Sequence, residues 1–158
     1  MEKIKSISEL AETIQDLKQQ GKKIVWTNGC FDLLHEGHIK YLKKAKEQGD
    51  FLVIGLNSDL SVKRLKGKNR PVISEKARAE ILASLECVDF IIIFDEDSPA
   101  KYLSMLKPDV YVKGGDYTID TINQDERRII ENYGGKIFIT GLIAGISTSK
   151  IIEKVKSQ

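Results

Sequence analysis

A chain of 158 residues and 17.8 kDa with 41% apolar side chains is long enough to bury a core without disulfide or metal staples, and it reads as one domain over 1–158, a helix at 1–21 ahead of a core at 22–158. The balance of 25 basic against 23 acidic side chains, net charge +2, argues against nucleic-acid binding by bulk electrostatics, and the lack of any run of 18 apolar residues argues against a transmembrane helix. The first residues carry no apolar signal core, and Cys30 and Cys87, far apart in sequence, read as reduced buried thiols, so a cytoplasmic protein is expected.

Ser8 is placed to cap a first helix whose apolar positions Leu10, Ile14 and Leu17 recur at helical spacing, with Gly21 as its stop. A short strand over 23–26 runs into a turn at Asn28-Gly29. His35 and His38 then stand at the mouth of a helix that begins near Gly37 or His38 and continues through Ile39, Leu42 and Ala45 to Gly49. Gly29 and Gly37 let the backbone come close to a ligand, and a helix start offers unpaired N–H groups and the positive end of its dipole. Both histidines of the chain fall in this window, so the pair reads as an anion-handling arrangement rather than as two surface imidazoles. Cys30, beside Phe31, reads as a small packing residue more than as a nucleophile. The lysines of this helix are solvated by default, and Lys44 is the one placed to reach a bound phosphate.

Residues 51–56 form a continuous apolar run, as in a strand covered on both faces. The run ends in Asn57-Ser58-Asp59, at the carboxyl end where open α/β sheets bind ligands; Asp59 either caps the following turn or contacts the ligand. A basic loop at 63–70 carries five cations in eight residues, Lys66, Lys68 and Arg70 among them, and suits charge neutralisation beside a phosphate cradle. Ser74 caps a helix containing Leu82 and Leu85. Arg78, early in that helix, opposes its dipole, so a salt bridge or anion contact should compensate. A third strand spans 88–94, and Asp97-Ser98-Pro99 starts a helix with proline at its first position, ended by Pro108. A fourth strand at 109–112 leads into Lys113-Gly114-Gly115-Asp116-Tyr117, where paired glycines permit close backbone approach and Lys113 and Asp116 put opposite charges at the rim. A polar helix at 124–133 and a fifth strand at 136–140 precede Gly145-Ile146-Ser147-Thr148-Ser149. Ser147 alone would be an N-cap; three consecutive hydroxyls at a helix start read as a second phosphate cradle.

Strands alternating with helices at short spacing predict an α/β fold, a Rossmann-like parallel five-stranded sheet with helices on both faces. The turns after strands one, two and four and the start of the last helix then gather at one sheet edge.

His35-Glu36-Gly37-His38 and the distal Gly145-Ile146-Ser147-Thr148 resemble the two short motifs of the cytidylyltransferase-like nucleotidyltransferases. Within that superfamily the chain is most similar to the D-glycero-β-D-manno-heptose 1-phosphate adenylyltransferases, including the transferase half of the bifunctional heptose kinase/adenylyltransferase. The likeness is carried by the sequences at 27–32, 57–59, 64–72 and 112–117. It implies that 22–158 is a catalytic core transferring AMP from ATP to the heptose 1-phosphate, by in-line attack at the α-phosphorus, giving pyrophosphate and ADP-heptose for lipopolysaccharide or S-layer glycan assembly. Under it, His35, His38 and Lys44 are catalytic. Asn28, Gly29, Cys30, Phe31, Gly37, Gly114, Asp116, Ser147, Thr148 and Ser149 bind nucleotide or phosphate, and Asp59, Lys66, Lys68, Arg70, Arg78 and Lys113 bind substrate or screen charge. Asp32 is expected to bond the turn behind the histidines. Mg²⁺ is expected on phosphate oxygens with no protein metal site. The expected partners are ATP and a sugar 1-phosphate, without nucleic acid or membrane, in a homo-oligomer, dimer or larger.

Two other readings compete. Cytidylyltransferases for glycerol 3-phosphate or phosphoethanolamine share Gly-Ile-Ser-Thr, but they usually carry Arg-Thr-Glu just ahead of it, where this chain has Leu142-Ile143-Ala144. A nucleotide-binding module that had lost its chemistry would have broken one of the two motifs, and neither is broken.

Overall fold

The computed structural model describes residues 2–141 and 147–158. Five strands, β1 (Ile24–Gly29), β2 (Phe51–Asn57), β3 (Phe90–Phe94), β4 (Val110–Lys113) and β5 (Lys136–Ile139), form one parallel sheet in the order β3-β2-β1-β4-β5. The expected fold class is therefore present. Side chains alternate between faces along each strand, and the core divides accordingly. Ile24, Trp26, Val53 and Tyr111 pack against α1 (Ile7–Gln19), α5 (Ala100–Leu106) and α6 (Gln124–Asn132), while Val25, Leu52, Ile54 and Val112 pack against α2 (Glu36–Lys46) and α4 (Glu75–Ala83). Two shorter-range elements, α3 (Asp59–Lys66) and α7 (Thr148–Lys156), flank the carboxyl ends of the strands. The chain moves from β1 outward through β2 to β3, then returns to the other side of β1 for β4. This reversal leaves a crevice at the carboxyl ends of β1 and β4, the place where such sheets bind ligands.

Several element ends differ from the expectation, each for a local reason. Ser6, not Ser8, caps α1, because Glu9 returns a hydrogen bond to the Ser6 N–H and closes a capping box. Residues 63–66, expected as the first half of the basic loop, instead end a helix over 59–66 that Ser58 caps. Pro99 is the N-cap of α5, one position earlier than expected, and Lys107 ends that helix in the left-handed region at φ 46°. Ahead of α1, the main chain of Lys3 and Lys5 bonds both backbone groups of Ile91 and covers the outer edge of β3. Among the described residues no helix is long and apolar enough to cross a membrane.

Trp26 joins the core to the crevice. It is fully buried, its indole N–H donates to Asn28 Oδ1 at 3.1 Å, and its ring lies over Gly55 on the neighbouring strand. A Cβ at Gly55 would stand 2.5 Å from the indole, closer than any real contact. We predict that Gly55→Ala lowers stability by about 1–3 kcal/mol through overpacking, read from urea unfolding followed by the fluorescence of the single tryptophan; an unchanged midpoint would contradict this packing.

Candidate active site

The turn that follows β1 carries the first half of the site. Asn28, Gly29, Cys30 and Phe31 line a cavity of about 700 Å³ in the crevice. Beyond them His35 is the N-cap of α2, and its Nδ1 accepts the Gly37 N–H at 3.1 Å. His38 Nδ1 in turn accepts the His35 N–H at 3.2 Å, so two imidazoles close a capping box. A neutral imidazole has one donor and one acceptor nitrogen; with Nδ1 accepting in both rings, both ring protons sit on Nε2. The ring centroids are 3.9 Å apart, and Phe31 packs on His38. Burial, with His35 beside it, pushes the His38 pKa down to about 4, and burial also lowers that of His35. The cavity thus receives two uncharged N–H donors from one helix start.

Because α2 starts at Glu36, Lys44 falls in its last turn, exposed and away from the cavity lining, and the exposed Lys68 is likewise outside it. The cations that line the cavity are Lys66, Arg70 and Lys113. Gly37 makes room for a side chain rather than for a ligand, since a Cβ there would meet the His35 ring at 2.9 Å. Gly114 is similar: its Cβ would stand 2.6 Å from the Tyr41 ring, and neither it nor Asp116 reaches the cavity wall.

Asp32 is 2% exposed, between Phe31 and Leu33, whose φ angles of 46° and 49° lie in the left-handed region that non-glycine residues avoid. Its carboxylate accepts Arg70 Nε at 2.8 Å, the Val72 N–H at 2.8 Å and the Ile73 N–H at 3.1 Å. Burial alone would raise its pKa; these three donors outweigh burial and hold the carboxyl below its usual range. Segment 70–73 is thereby fastened to the back of the histidine turn, and Arg70 is delivered to the cavity.

Arg78 has a different role from the one expected. It is 1% exposed, and every nitrogen of its guanidinium is engaged within the protein: Nε with Ile73 O, Nη1 with Cys30 O and Asn57 O, Nη2 with Asp59 Oδ1 at 2.8 Å. The compensation for its unfavourable place in the helix dipole is this ion pair, and the Arg78 fork ties together the ends of β1 and β2 instead of meeting substrate. Asp59 is correspondingly neither helix cap nor cavity wall. Cys30 contributes its carbonyl to Arg78, and burial pushes its thiol up, which suits packing and not nucleophilic attack.

The distal motif arrives at the same cavity. Ser147 caps α7 by accepting the Lys150 N–H, and the Thr148 hydroxyl donates to Asp32 O at 2.7 Å, joining segments 116 residues apart. Ser147, Thr148 and Ser149 all line the cavity, while Gly145 and Ile146 lie outside the described residues. On the far wall Lys113, whose pKa burial lowers against the pull of Glu126, stands over the Tyr117 ring at 5.2 Å. That wall also holds Asn57, Leu65, Asp97, Pro99, Asn123 and Glu126, which the sequence did not single out as site residues. Asn57 had a signal, since it opens the polar tripeptide at the end of β2. Asn123 and Glu126 had none, because they begin α6 and reach the cavity only through the packing of that helix.

A crevice at the switch point of a parallel sheet, with imidazole donors at one helix start and hydroxyls at another, defines an α/β enzyme of the nucleotidyl-transfer class. Residues 26–154 match the cytidylyltransferase-like family, and the chain belongs to that family of nucleotidyltransferases. It is similar to the bifunctional protein HldE of Geobacter sulfurreducens, 52% identical over 153 residues that make up 97% of this chain and 31% of that protein. The bifunctional protein HldE of Campylobacter jejuni is 53% identical over 154 residues, 98% of this chain and 32% of that one. The chain spans about a third of the length of these curated relatives. Among solved structures, the lipopolysaccharide core biosynthesis protein from Thermoplasma volcanium is 32% identical with a TM-score of 0.64, covering 80% of this chain and 100% of that one. The pantoate-beta-alanine ligase of Francisella tularensis, complexed with beta-gamma ATP and beta-alanine, shares the fold at TM-score 0.65 and 16% identity, over 99% of this chain and 77% of that one.

Two outcomes follow from this geometry. Nitrogen NMR at pH 7 is expected to find both histidines neutral with the proton on Nε2. The folded His38 pKa of about 4 lies below the ordinary 6.5, so the unfolded chain takes up the proton first and stability falls as pH drops from about 6.5 towards 4; a His38 signal that titrates near 6.5 would contradict the capping box. Arg78→Leu, which strips four acceptors of their donor, the Asn57 carbonyl among them fully buried, should cost about 3 kcal/mol or more in urea unfolding, whereas a loss under about 1 kcal/mol would mean that the fork is dispensable.

Proposed function

We propose that this chain transfers an adenylyl group from ATP to D-glycero-β-D-manno-heptose 1-phosphate, releasing pyrophosphate and forming ADP-heptose. The observation that carries the reading is the convergence of the His35/His38 donors and the Ser147–Ser149 hydroxyls on one cavity with Lys66, Arg70 and Lys113. Further support comes from the likeness of the 64–72 and 112–117 sequences to the heptose 1-phosphate adenylyltransferases and from similarity to the HldE proteins.

In this reaction a phosphate oxygen of the sugar attacks the α-phosphorus in line, the bond to the bridging oxygen of pyrophosphate breaks, and no protein nucleophile or proton acceptor is needed. The protein contributes position and charge stabilisation. The Nε2–H groups of His35 and His38 donate to triphosphate oxygens, the α7 start receives the outer phosphates, and Arg70, Lys66 and Lys113 take the charge-screening role expected of Lys44. An Mg²⁺ ion would be carried in on phosphate oxygens and water, since this ion keeps several waters and needs few protein ligands. When bound there, the ion neutralises triphosphate charge.

His38→Ala should stay folded, at a cost of about 1 kcal/mol for the lost capping bond, and cut turnover by about 100-fold or more; near-normal turnover would remove the donor role. Pyrophosphate release with magnesium, crossing ATP and CTP against heptose 1-phosphate and glycerol 3-phosphate, tests the assignment. Release with ATP and the heptose phosphate alone is expected. Release with CTP and glycerol 3-phosphate would favour the cytidylyl branch, and silence in every combination would leave a nucleotide-binding module.

A further inference from the structure

The cavity is chemically lopsided. Donors to anions gather where α2 and α7 begin, while the wall built from the ends of β2 and β3 and the start of α6 sets hydrogen-bond acceptors beside a single cation, Lys113. Two of these acceptors are nearly enclosed: Asn57 is 3% exposed and Glu126 is 4% exposed.

The orientation of Asn57 follows from its neighbours. The Ser61 hydroxyl donates its one proton to Glu96 O at 3.2 Å, so its oxygen can only accept from Asn57, and the partner at 2.9 Å is the amide Nδ2. That leaves Asn57 Oδ1 as the remaining group, and it has no donor among the described residues. Glu126 is also held in place, Oε1 by the Ser98 hydroxyl at 2.9 Å and Oε2 by the Tyr111 hydroxyl at 2.6 Å, with one acceptor direction left on each oxygen. The segment from Glu96 to Ser98 joins the two, bonded to Ser61 at one end and to Glu126 at the other, so the acceptors belong to one braced wall.

Enclosed acceptors facing a cavity call for a ligand with donors; phosphate oxygens have none to give, so the donors come from hydroxyl groups of the sugar phosphate or from the ribose and adenine of the nucleotide, which the KM for ATP tells apart. A phosphorylated polyol supplies both halves, with phosphate oxygens for the cationic end and hydroxyl protons for the acceptor wall. Resting on the adenylyl-transfer reading above, we propose that Asn57 Oδ1 and Glu126 accept hydrogen bonds from hydroxyl groups of the sugar phosphate and set the enzyme's preference for its acceptor.

The test is steady-state pyrophosphate release with ATP and heptose 1-phosphate or its monodeoxy analogues, for the unaltered protein and for Asn57→Ala. Removing the hydroxyl read by Asn57 should cost the unaltered protein about tenfold in kcat/KM. Asn57→Ala should lose a similar factor on the natural sugar, be indifferent to that one deoxygenation, and keep its KM for ATP within about twofold. A variant that still discriminates, or that weakens ATP and sugar alike, overturns the inference while leaving adenylyl transfer intact. Should Asn57→Ala fail to fold, the analogue scan on the unaltered protein decides, because tolerance of every single deoxygenation overturns it. Absence of turnover with ATP and heptose 1-phosphate overturns both readings together.

Discussion

The site depends on Asp32, one enclosed carboxylate at which three distant stretches of chain meet. Its side chain takes Arg70 and the Val72 and Ile73 amides, and its carbonyl takes the Thr148 hydroxyl. Each bond spans at least 38 residues, so all four depend on the fold that brings these segments together. The left-handed backbone at Phe31 and Leu33 is the counterpart of this fastening. A turn bent that way is costly by itself and persists because Asp32 is held on three sides. Arg78 performs the matching task beneath, where its fork closes the carbonyls of Cys30 and Asn57 into one unit. An acid at the cavity wall, Asp32, and a base beneath it, Arg78, hold the frame on which the binding groups stand.

That frame also moderates the charge of the cavity, where Lys66, Arg70 and Lys113 stand among Asp32, Asp97 and Glu126. Arg70 is partly neutralised from behind by Asp32, and Lys113 feels Glu126 and rests on the Tyr117 ring. Repulsion among the cations is thereby reduced while each keeps donors for an incoming anion. Neutral imidazoles add donors without adding to that repulsion, which is an advantage over two further lysines at the same helix start.

The sequence made the sheet legible because its signals are local. Apolar runs such as 51–56, glycine stops and capping residues act within a few positions, and they placed all five strands. The histidine pair and the three hydroxyls were legible for the same reason, as short motifs at helix starts. The roles of Lys44, Arg78 and Asp59 were not, since each turns on where a helix begins or which side chain lies across the fold. Because α2 ends at Lys46, short of the expected stop at Gly49, Lys44 falls in its last turn, far from the helix start that holds the histidines. A buried Arg and a ligand-binding Arg look identical in sequence; only the four acceptors around Arg78 separate them. Asn57 was marked only as part of the polar tripeptide that ends β2, and Glu126 stayed hidden inside a polar amphipathic helix, because their shared wall exists only once β3 and α6 are packed.

The histidine pair also ties binding to folding in a way that a pair of cations would not. Each Nδ1 accepts a backbone N–H of the helix start, so the capping of α2 and the direction of the Nε2 donors are set by the same two hydrogen bonds. Protonating either ring would replace an acceptor with a donor pointed at an N–H group, and the helix start would lose its cap as the site lost its geometry. Burial keeps the neutral form and so protects both together. The helix start therefore presents its donors already oriented, and an arriving triphosphate has no protein charge or ring rotation to wait for.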